Sequence, residues 1–364
     1  MLEEFLTQQL AAVEGITLDY DTDFASLTTL RVGGKPQVLV RCSNPEAAVA
    51  ATQLVDDASV PLVIVGGGSN LLVRDGAVDV VALLLEFGDI NVDAGSGLVR
   101  AGAGAEWDRV VAASVDAGLG GIECLSGIPG SAGAVPVQNV GAYGAEISDV
   151  LTRVRLYDRR AHVDEWVPAA DLDLDYRYSN LKFTHRALVL EIELQLSTDG
   201  LSKPLRFGQL TQQPGERRRV AEVREEVLRL RHGKGMVLDP QDHDTWSAGS
   251  FFTNPIVDPA LAEAVCARVR ANHGDAVAET MPRHAVAKGE KLSAAWLIEK
   301  AGFPKGYPGQ GRATLSTKHT LALSNRGEAR AEDIVALARD IRDGVRAAFG
   351  VELVPEPVWL GLAL

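Results

Sequence analysis

The sequence holds only three cysteines in 364 residues, Cys42, Cys124 and Cys266, spaced far apart and without a CxxC pair. They read as buried thiols in a reducing compartment rather than a disulfide framework, and no metal site is expected from them. No apolar run approaches the length that spans a bilayer. The opening stretch, MLEEFLTQQLAAVEGITLDY, is acidic and broken by polar residues, so it lacks the basic and apolar regions of a secretory signal. A cytoplasmic protein without a membrane partner is expected. Basic charge is scarce as well: 36 Lys and Arg face 49 Asp and Glu, a formal net charge of -13. Nonspecific nucleic-acid binding needs clustered cations against phosphates and is disfavoured, whereas a small phosphorylated ligand is not. There is no Gly-Lys-Ser/Thr of a Walker loop and no G-x-S-x-G nucleophile elbow. Ser250, between Gly249 and two phenylalanines with His243 and Asp244 just upstream, therefore does not read as a hydrolase nucleophile. His243 reads as a surface-loop residue.

What is present is ample material for a core. Hydrophobic residues make up 46% and charged residues 23%, the balance of a soluble globular protein, and the length suits two or three domains. Residues 37 to 41, QVLVR, read as a strand. The stretch 44 to 58 reads as a helix capped by Asn44 with Pro45 at its first position. VPLVIVGGGSNLLV, 60 to 73, gives a buried strand, a glycine turn and a second short apolar run. From Leu151 to Leu196 alternation and branched residues predict strands in LTRVRLYD, HVDEWV and ALVLEIELQL. In ERRRVAEVREEVLRLRHGKG the positions Val220, Val223, Val227 and Leu230 share one helical face, with the arginine run as its solvated side. Two further helices are expected between 255 and 350, PALAEAVCARVRANHG and AEDIVALARDIRDGVRAAFG, in a region whose length suits a separate α+β domain.

Two glycine-rich loops carry the strongest local signal. Gly66, Gly67, Gly68, Ser69 and Asn70 follow a strand, where glycines let backbone N–H groups converge on an anion. The LLVRDG that follows is a poor start for a helix, which argues against a Rossmann turn; an ordinary tight turn stands as the alternative. The second stretch, CLSGIPGSAGAVPVQNVGAYGA, carries Gly127, Gly130, Gly133, Gly141 and Gly144 and no charged residue. Backbone of this kind suits close wrapping around a large planar or phosphorylated cofactor, or else a buried structural loop.

GGGSNLLV and SGIPGSAGAVPVQNVGAYGAEI resemble the FAD-binding motifs of the UDP-N-acetylenolpyruvoylglucosamine reductase family. Later segments resemble that family in the same order: DYRYSNLK, AGSFFTNP, SAAWLIEKAGFPKG, STKHTLALSN and VPEPVWLG. LRVGG, 30 to 34, resembles its early cofactor-side turn. The resemblance covers nearly the whole chain. It implies an α+β protein: a two-subdomain FAD-binding fold of the vanillyl-alcohol-oxidase type over 1–200 (subdomains about 1–75 and 76–200), then a mobile loop and linker helix over 201–235. A substrate-binding α+β domain over 236–350 and a return to the active site over 351–364 complete it.

The resemblance further implies reduction of UDP-N-acetylglucosamine enolpyruvate to UDP-N-acetylmuramate by NADPH through non-covalent FAD, in peptidoglycan synthesis, by a monomer. Another oxidase of the same FAD fold is the alternative. Ser250 matches the family's proton donor, Arg177 its arginine at the substrate carboxylate, and Glu356 its glutamate near the C-terminus. Cofactor contacts are implied at Arg31, Gly66, Gly67, Gly68, Ser69, Asn70 and Leu71, and at Ser126, Gly127, Ile128, Pro129, Gly130, Ser131 and Ala132. Gln138, Asn139, Gly141, Ala142, Tyr143 and Gly144 extend that set. For the UDP-sugar the implied residues are Tyr176, Lys234, Asn254, Lys300 and Gln310. The chain fits the longer of the family's two architectures, in which a mobile loop brings a tyrosine over the uridine. Phe207 stands there in this sequence, keeping stacking and losing the hydroxyl.

Overall fold

A computed structural model describes residues 4–206 and 208–364, and the chain divides into two compact units. The first takes the chain up to Leu27, then Gly34–Ser69 and Gly76–Val237; the second takes Thr28–Gly33, Asn70–Asp75 and Leu238–Leu364.

In the first unit, a four-stranded sheet runs in the order Ile16–Asp19, Lys35–Cys42, Ala77–Leu85, Leu62–Val65. Ala77–Leu85 is parallel to both neighbours and is a nearly continuous apolar run, as a strand covered on both faces requires. The helix Pro45–Asp57 connects two of these strands. The Asn44 side chain accepts a hydrogen bond from the Ala47 N–H, and Ala47, Ala48, Ala51, Thr52 and Val55 form its buried face. Cys42 and Cys124 are buried, which pushes both thiols up to about 12; Cys266 is half-buried.

An antiparallel sheet follows in the same unit, in the order Val163–Pro168, Leu151–Asp158, Ala187–Gln195, Leu98–Gly102, Ile90–Asp93. The helices Trp107–Asp116 and Val220–Gly233 share its core through Trp107, Val110, Val223 and Val227. Leu230 is only partly buried against it. The arginine run departs from expectation. Arg217, Arg218 and Arg219 precede the helix rather than forming its outer side, because that segment pairs with Leu201 and Ser202 and the helix begins only at Val220. Arg217 is held there by Asp199 and the Ser202 carbonyl.

The second unit is built on the helices Pro259–His273, Ala294–Lys300 and Ala331–Phe349, with small antiparallel sheets at Ile256–Val257, Arg283–Val286 and Gly289–Leu292 and at Ala313–Leu315 with Leu323–Asn325. Ile334, Ala338, Ile341 and Val345 recur at helical spacing and are fully buried. Two early segments belong to this core: Leu30 and Val32 from one, Leu72 from the other. Leu71–Val73 pairs in parallel with Val358–Leu360, so residues from the first and last parts of the chain form one ribbon.

Glu193 illustrates how register creates electrostatics. It lies directly opposite Arg153 on one neighbouring strand and Arg100 on the other. Hydrogen bonds from Arg153 and then Arg100 hold its carboxyl at about 2, against an ordinary value of 4.5. A carboxyl lowered in the folded state contributes stability above the unfolded pKa and loses it as pH falls through the folded one. Glu193→Gln should therefore cost about 1 to 3 kcal/mol at neutral pH, from lost charge-assisted hydrogen bonds. Denaturant titrations between about pH 5 and pH 2 should show the gap to wild type closing; a constant gap would contradict this origin.

Candidate active site

The two glycine loops meet inside the first unit. A Cβ on Gly67 would stand 2.6 Å from the Gly130 Cα, and one on Gly66 would stand 2.5 Å from the Ser131 Oγ. Gly68 and Gly130 take φ of 60° and 135°, open to glycine and strained for other residues. Gly66–Ser69 belongs to this unit, whereas Asn70 and Leu71 belong to the other, so the division falls within the motif. After Gly130 the backbone turns through short 3-10 segments at Ala132–Ala134 and Pro136–Gln138. It is pinned by the Trp107 N–H to the Gly130 carbonyl (3.0 Å) and the Ala132 N–H to the Ala105 carbonyl (2.8 Å). Ser126 is fully buried, with its hydroxyl on the Glu123 carbonyl, while Ile128 and Pro129 are half-buried.

Asp108, not anticipated from sequence, fixes the entry to this loop. It accepts the Gly127 N–H at 2.6 Å and hydrogen bonds from Arg224 Nη1 and Nη2 at 2.7 and 2.8 Å. Burial alone would raise its carboxyl, but the bonds from Arg224 and Gly127 hold it below its ordinary value. Arg231 packs beside Gly127, and burial pushes its guanidinium down to about 10.

The predicted arginine is stitched to the far end of the same loop. Arg177 Nη2 donates to the Gly141 carbonyl at 2.7 Å, and Lys182 Nζ donates to the Arg177 carbonyl at 3.2 Å. Arg177 has φ of 55°, a left-handed conformation that a non-glycine residue keeps only where its surroundings over-determine it. Its guanidinium lies 5.2 Å from the Tyr176 ring centroid. Asn139, also left-handed, donates from Nδ2 to the Asp175 carbonyl and to Glu146, and Ser179 donates to the Val137 carbonyl. Gly141 and Ala142 form a two-residue strand, Gln138 ends the 3-10 segment before it, and Tyr143 and Gly144 form the turn after it. Lys234, just past the helix Val220–Gly233, places Nζ 2.9 Å from Gln209 Oε1 and 5.6 Å from the Tyr143 ring centroid. Phe207 lies outside the described residues.

In the second unit the chain gathers Ser250, Glu356 and Asn70. The Glu356 N–H donates to the Phe251 carbonyl at 2.8 Å, and the Thr253 N–H to the Val354 carbonyl at 3.0 Å. Asn70 accepts the Val358 N–H at 2.8 Å on its backbone carbonyl and donates from its side chain to the Glu356 carbonyl at 3.4 Å. Ser250 and Glu356 are both half-buried. Phe251 and Phe252 are fully buried core side chains, 5.2 Å apart edge to face, and so anchor the serine's backbone. The histidine near Ser250 is His319, with Nε2 3.4 Å from Oγ. His243 is not the exposed loop residue expected; it is half-buried with its ring 4.4 Å from that of Trp246. His319 stands in the STKHTLALSN motif, but nothing in sequence spacing links it to Ser250.

Arg31 stacks on Trp246 at 4.1 Å from the ring centroid, and its carbonyl accepts from Asn325. Asn254 accepts the Ala294 N–H at 2.9 Å, holding the start of a helix. Lys300 places its ammonium over the Trp296 ring, and Gln310 is exposed in a turn. Neither Lys300 nor Gln310 joins the hydrogen-bonded group around Ser250.

Residues 36–164 match the family model described as FAD binding domain, and residues 239–360 match that of the UDP-N-acetylenolpyruvoylglucosamine reductase, C-terminal domain. The chain is 63% identical to the UDP-N-acetylenolpyruvoylglucosamine reductase of Corynebacterium glutamicum strain R, with all of both chains covered. It is 50% identical to the enzyme of that name from Mycobacterium marinum, over 93% of this chain and 94% of the other. Among solved structures it is similar to the UDP-N-acetylenolpyruvylglucosamine reductase of Thermus caldophilus, with a TM-score of 0.62 and 24% identity over 94% of this chain and 98% of that one; at that identity the likeness speaks for the fold. The α+β architecture, an FAD-binding fold followed by a C-terminal domain, is as the sequence led one to expect.

The meeting of the loops yields a direct test. Gly67→Ala forces the Gly130 backbone to shift, and the ratio of flavin to protein absorbance in the purified protein should fall severalfold; wild-type retention of flavin would separate the loop contact from cofactor binding.

Proposed function

The chain belongs to the UDP-N-acetylenolpyruvoylglucosamine reductase family, FAD-dependent oxidoreductases of peptidoglycan synthesis, and from that premise we propose a cytoplasmic enzyme that uses NADPH to convert UDP-N-acetylglucosamine enolpyruvate into UDP-N-acetylmuramate. No described helix is long and apolar enough to cross a membrane. FAD, when bound, would supply the redox chemistry, hydride transfer from NADPH to C3 of the enolpyruvyl group. The loops at Gly66–Ser69 and Ser126–Ala132 would hold it. They suit this because glycines at 66, 67 and 130 leave the backbone bare where a side chain would fill the space.

Hydride at C3 leaves negative charge at C2 and on the adjoining carboxylate. The single observation that carries the assignment is the Glu356 N–H bond to the Phe251 carbonyl, which keeps this glutamate beside the residue following Ser250 across a long sequence separation. In this reading Ser250 gives a proton to C2. A hydroxyl is a weak acid, but a carbanion-like C2 is a strong base, so the transfer runs downhill when the serine is held in place. Glu356 stabilises the developing enolate by a hydrogen bond. Arg177 opposes the carboxylate charge with a planar guanidinium already fixed by Gly141. Lys234 supplies a point charge for phosphate, with Tyr176 and Asn254 as further contacts to the UDP-sugar.

Ser250→Ala should leave flavin reduction by NADPH within about twofold and slow reoxidation by the UDP-sugar by roughly 100-fold or more. Stopped-flow absorbance separates the two halves, and equal loss in both would refute the proton-donor role. Lys234→Ala should raise KM for the UDP-sugar by about 10-fold or more with a smaller change in kcat, in line with a lost charge-assisted contact. An unchanged KM would remove Lys234 from the site.

A further inference from the structure

We propose that His319 is the residue that returns the proton to Ser250 after each turnover, an inference that rests on Ser250 as the proton donor. The imidazole Nε2 lies 3.4 Å from Ser250 Oγ, a long hydrogen bond of the kind that tightens when substrate closes a site. The ring is held there by a clamped turn rather than by chance exposure. His319 sits between the paired strands Ala313–Leu315 and Leu323–Asn325. Its own N–H donates to Ser316 Oγ, and its carbonyl accepts the Ala322 N–H at 3.1 Å. The two preceding residues are fixed as well. Thr317 donates from its N–H at 2.9 Å and from its hydroxyl to the carboxylate of Asp244, which is buried and also paired with Arg326; Lys318 is paired with Asp242. From the other side, the Phe251 N–H donates to the Leu321 carbonyl at 2.7 Å, tying the serine's neighbour to the same turn. Serine and histidine are thus registered by backbone bonds on both flanks.

The carbanion electron pair at C2 forms the new C–H bond as the Ser250 O–H bond breaks, leaving an alkoxide. Oγ then takes the proton from Nε2 of the imidazolium; an O–H bond forms, an N–H bond breaks, and the ring becomes neutral. Half-exposed, the ring takes a proton back from solvent. No further oxidant or reductant is needed beyond the hydride supplied at C3. A serine without such a neighbour would hold a strongly basic alkoxide in a partly desolvated site, where ions are costly. His319 therefore acts through Ser250, as a positioning and relay group.

The test uses the FAD-loaded proteins His319→Ala, His319→Gln and Ser250→Ala, with NADPH reduction of the flavin and its reoxidation by the UDP-sugar followed separately. The relay predicts that His319→Ala reduces normally and reoxidises about tenfold or more slowly under repeated turnover, and that added imidazole restores much of the rate. His319→Gln keeps an N–H donor but cannot cycle a proton, so it should stay slow and be rescued by imidazole only weakly. Ser250→Ala should be slow and indifferent to imidazole. Wild-type reoxidation in His319→Ala, or full recovery in His319→Gln, overturns the relay while leaving the serine's role intact. Wild-type reoxidation in Ser250→Ala overturns the serine assignment and the relay with it. Should His319→Ala fail to retain FAD, His319→Gln with and without imidazole decides between the same outcomes.

Discussion

The pairing of Leu71–Val73 with Val358–Leu360 is the constraint on which the second unit's arrangement rests. Three residues from the first quarter of the chain pair in parallel with three near its C-terminus, and parallel strands cannot be joined by a tight turn. The chain therefore runs through most of its length between the two halves of one structural element. What the ribbon secures is the position of its flanking residues. Asn70 precedes one strand and Glu356 the other, and their hydrogen bonds close the group that includes Phe251 and hence Ser250. Leu72, fully buried in the same core as Phe251, gives the ribbon its apolar anchorage.

The first unit solves a different problem, the close approach of two backbones. Gly67 and Gly130 come together with no space for a side chain on Gly67, and such contact gives no side-chain burial in return. The surrounding bonds supply the order that glycine does not. Asp108, Arg224 and the Trp107 N–H hold one end of the second loop, and Asn139, Ser179 and Arg177 hold the other. The left-handed backbone of Arg177 and Asn139 is thus confined to the stretch where side chains bond directly to loop carbonyls.

Local sequence signals were most legible where a single segment sets its own structure. Asn44 and Pro45 announce a helix because capping and φ restriction act within one turn, and the structure starts the helix there. The strands around Leu151–Asp158 and Ala187–Gln195 follow their alternation for the same reason. The arginines at 217 to 219 misled because helical periodicity was extended across a segment whose backbone pairs elsewhere. Around Ser250, the histidine nearest in sequence is His243, yet His319 is the one within reach, carried there by a strand pair and by the Phe251–Leu321 bond. Phe251 and Phe252, next to Ser250 in sequence, are in the folded unit the core that seats it.

By itself the sequence determined the α+β class, the places of most helices and strands, and the two glycine loops, because propensity, capping and glycine's freedom act over a few residues. Motif order also determined the family, since ordered short matches along the chain are jointly far more specific than any one of them. Only the tertiary structure decided that Gly67 abuts Gly130, that Asp108 holds Gly127, that Glu356 and Asn70 meet near Ser250, and that His319 faces its hydroxyl. Each of these is a contact between residues far apart in sequence, set by sheet register and core packing, and no local property of either partner encodes the distance between them.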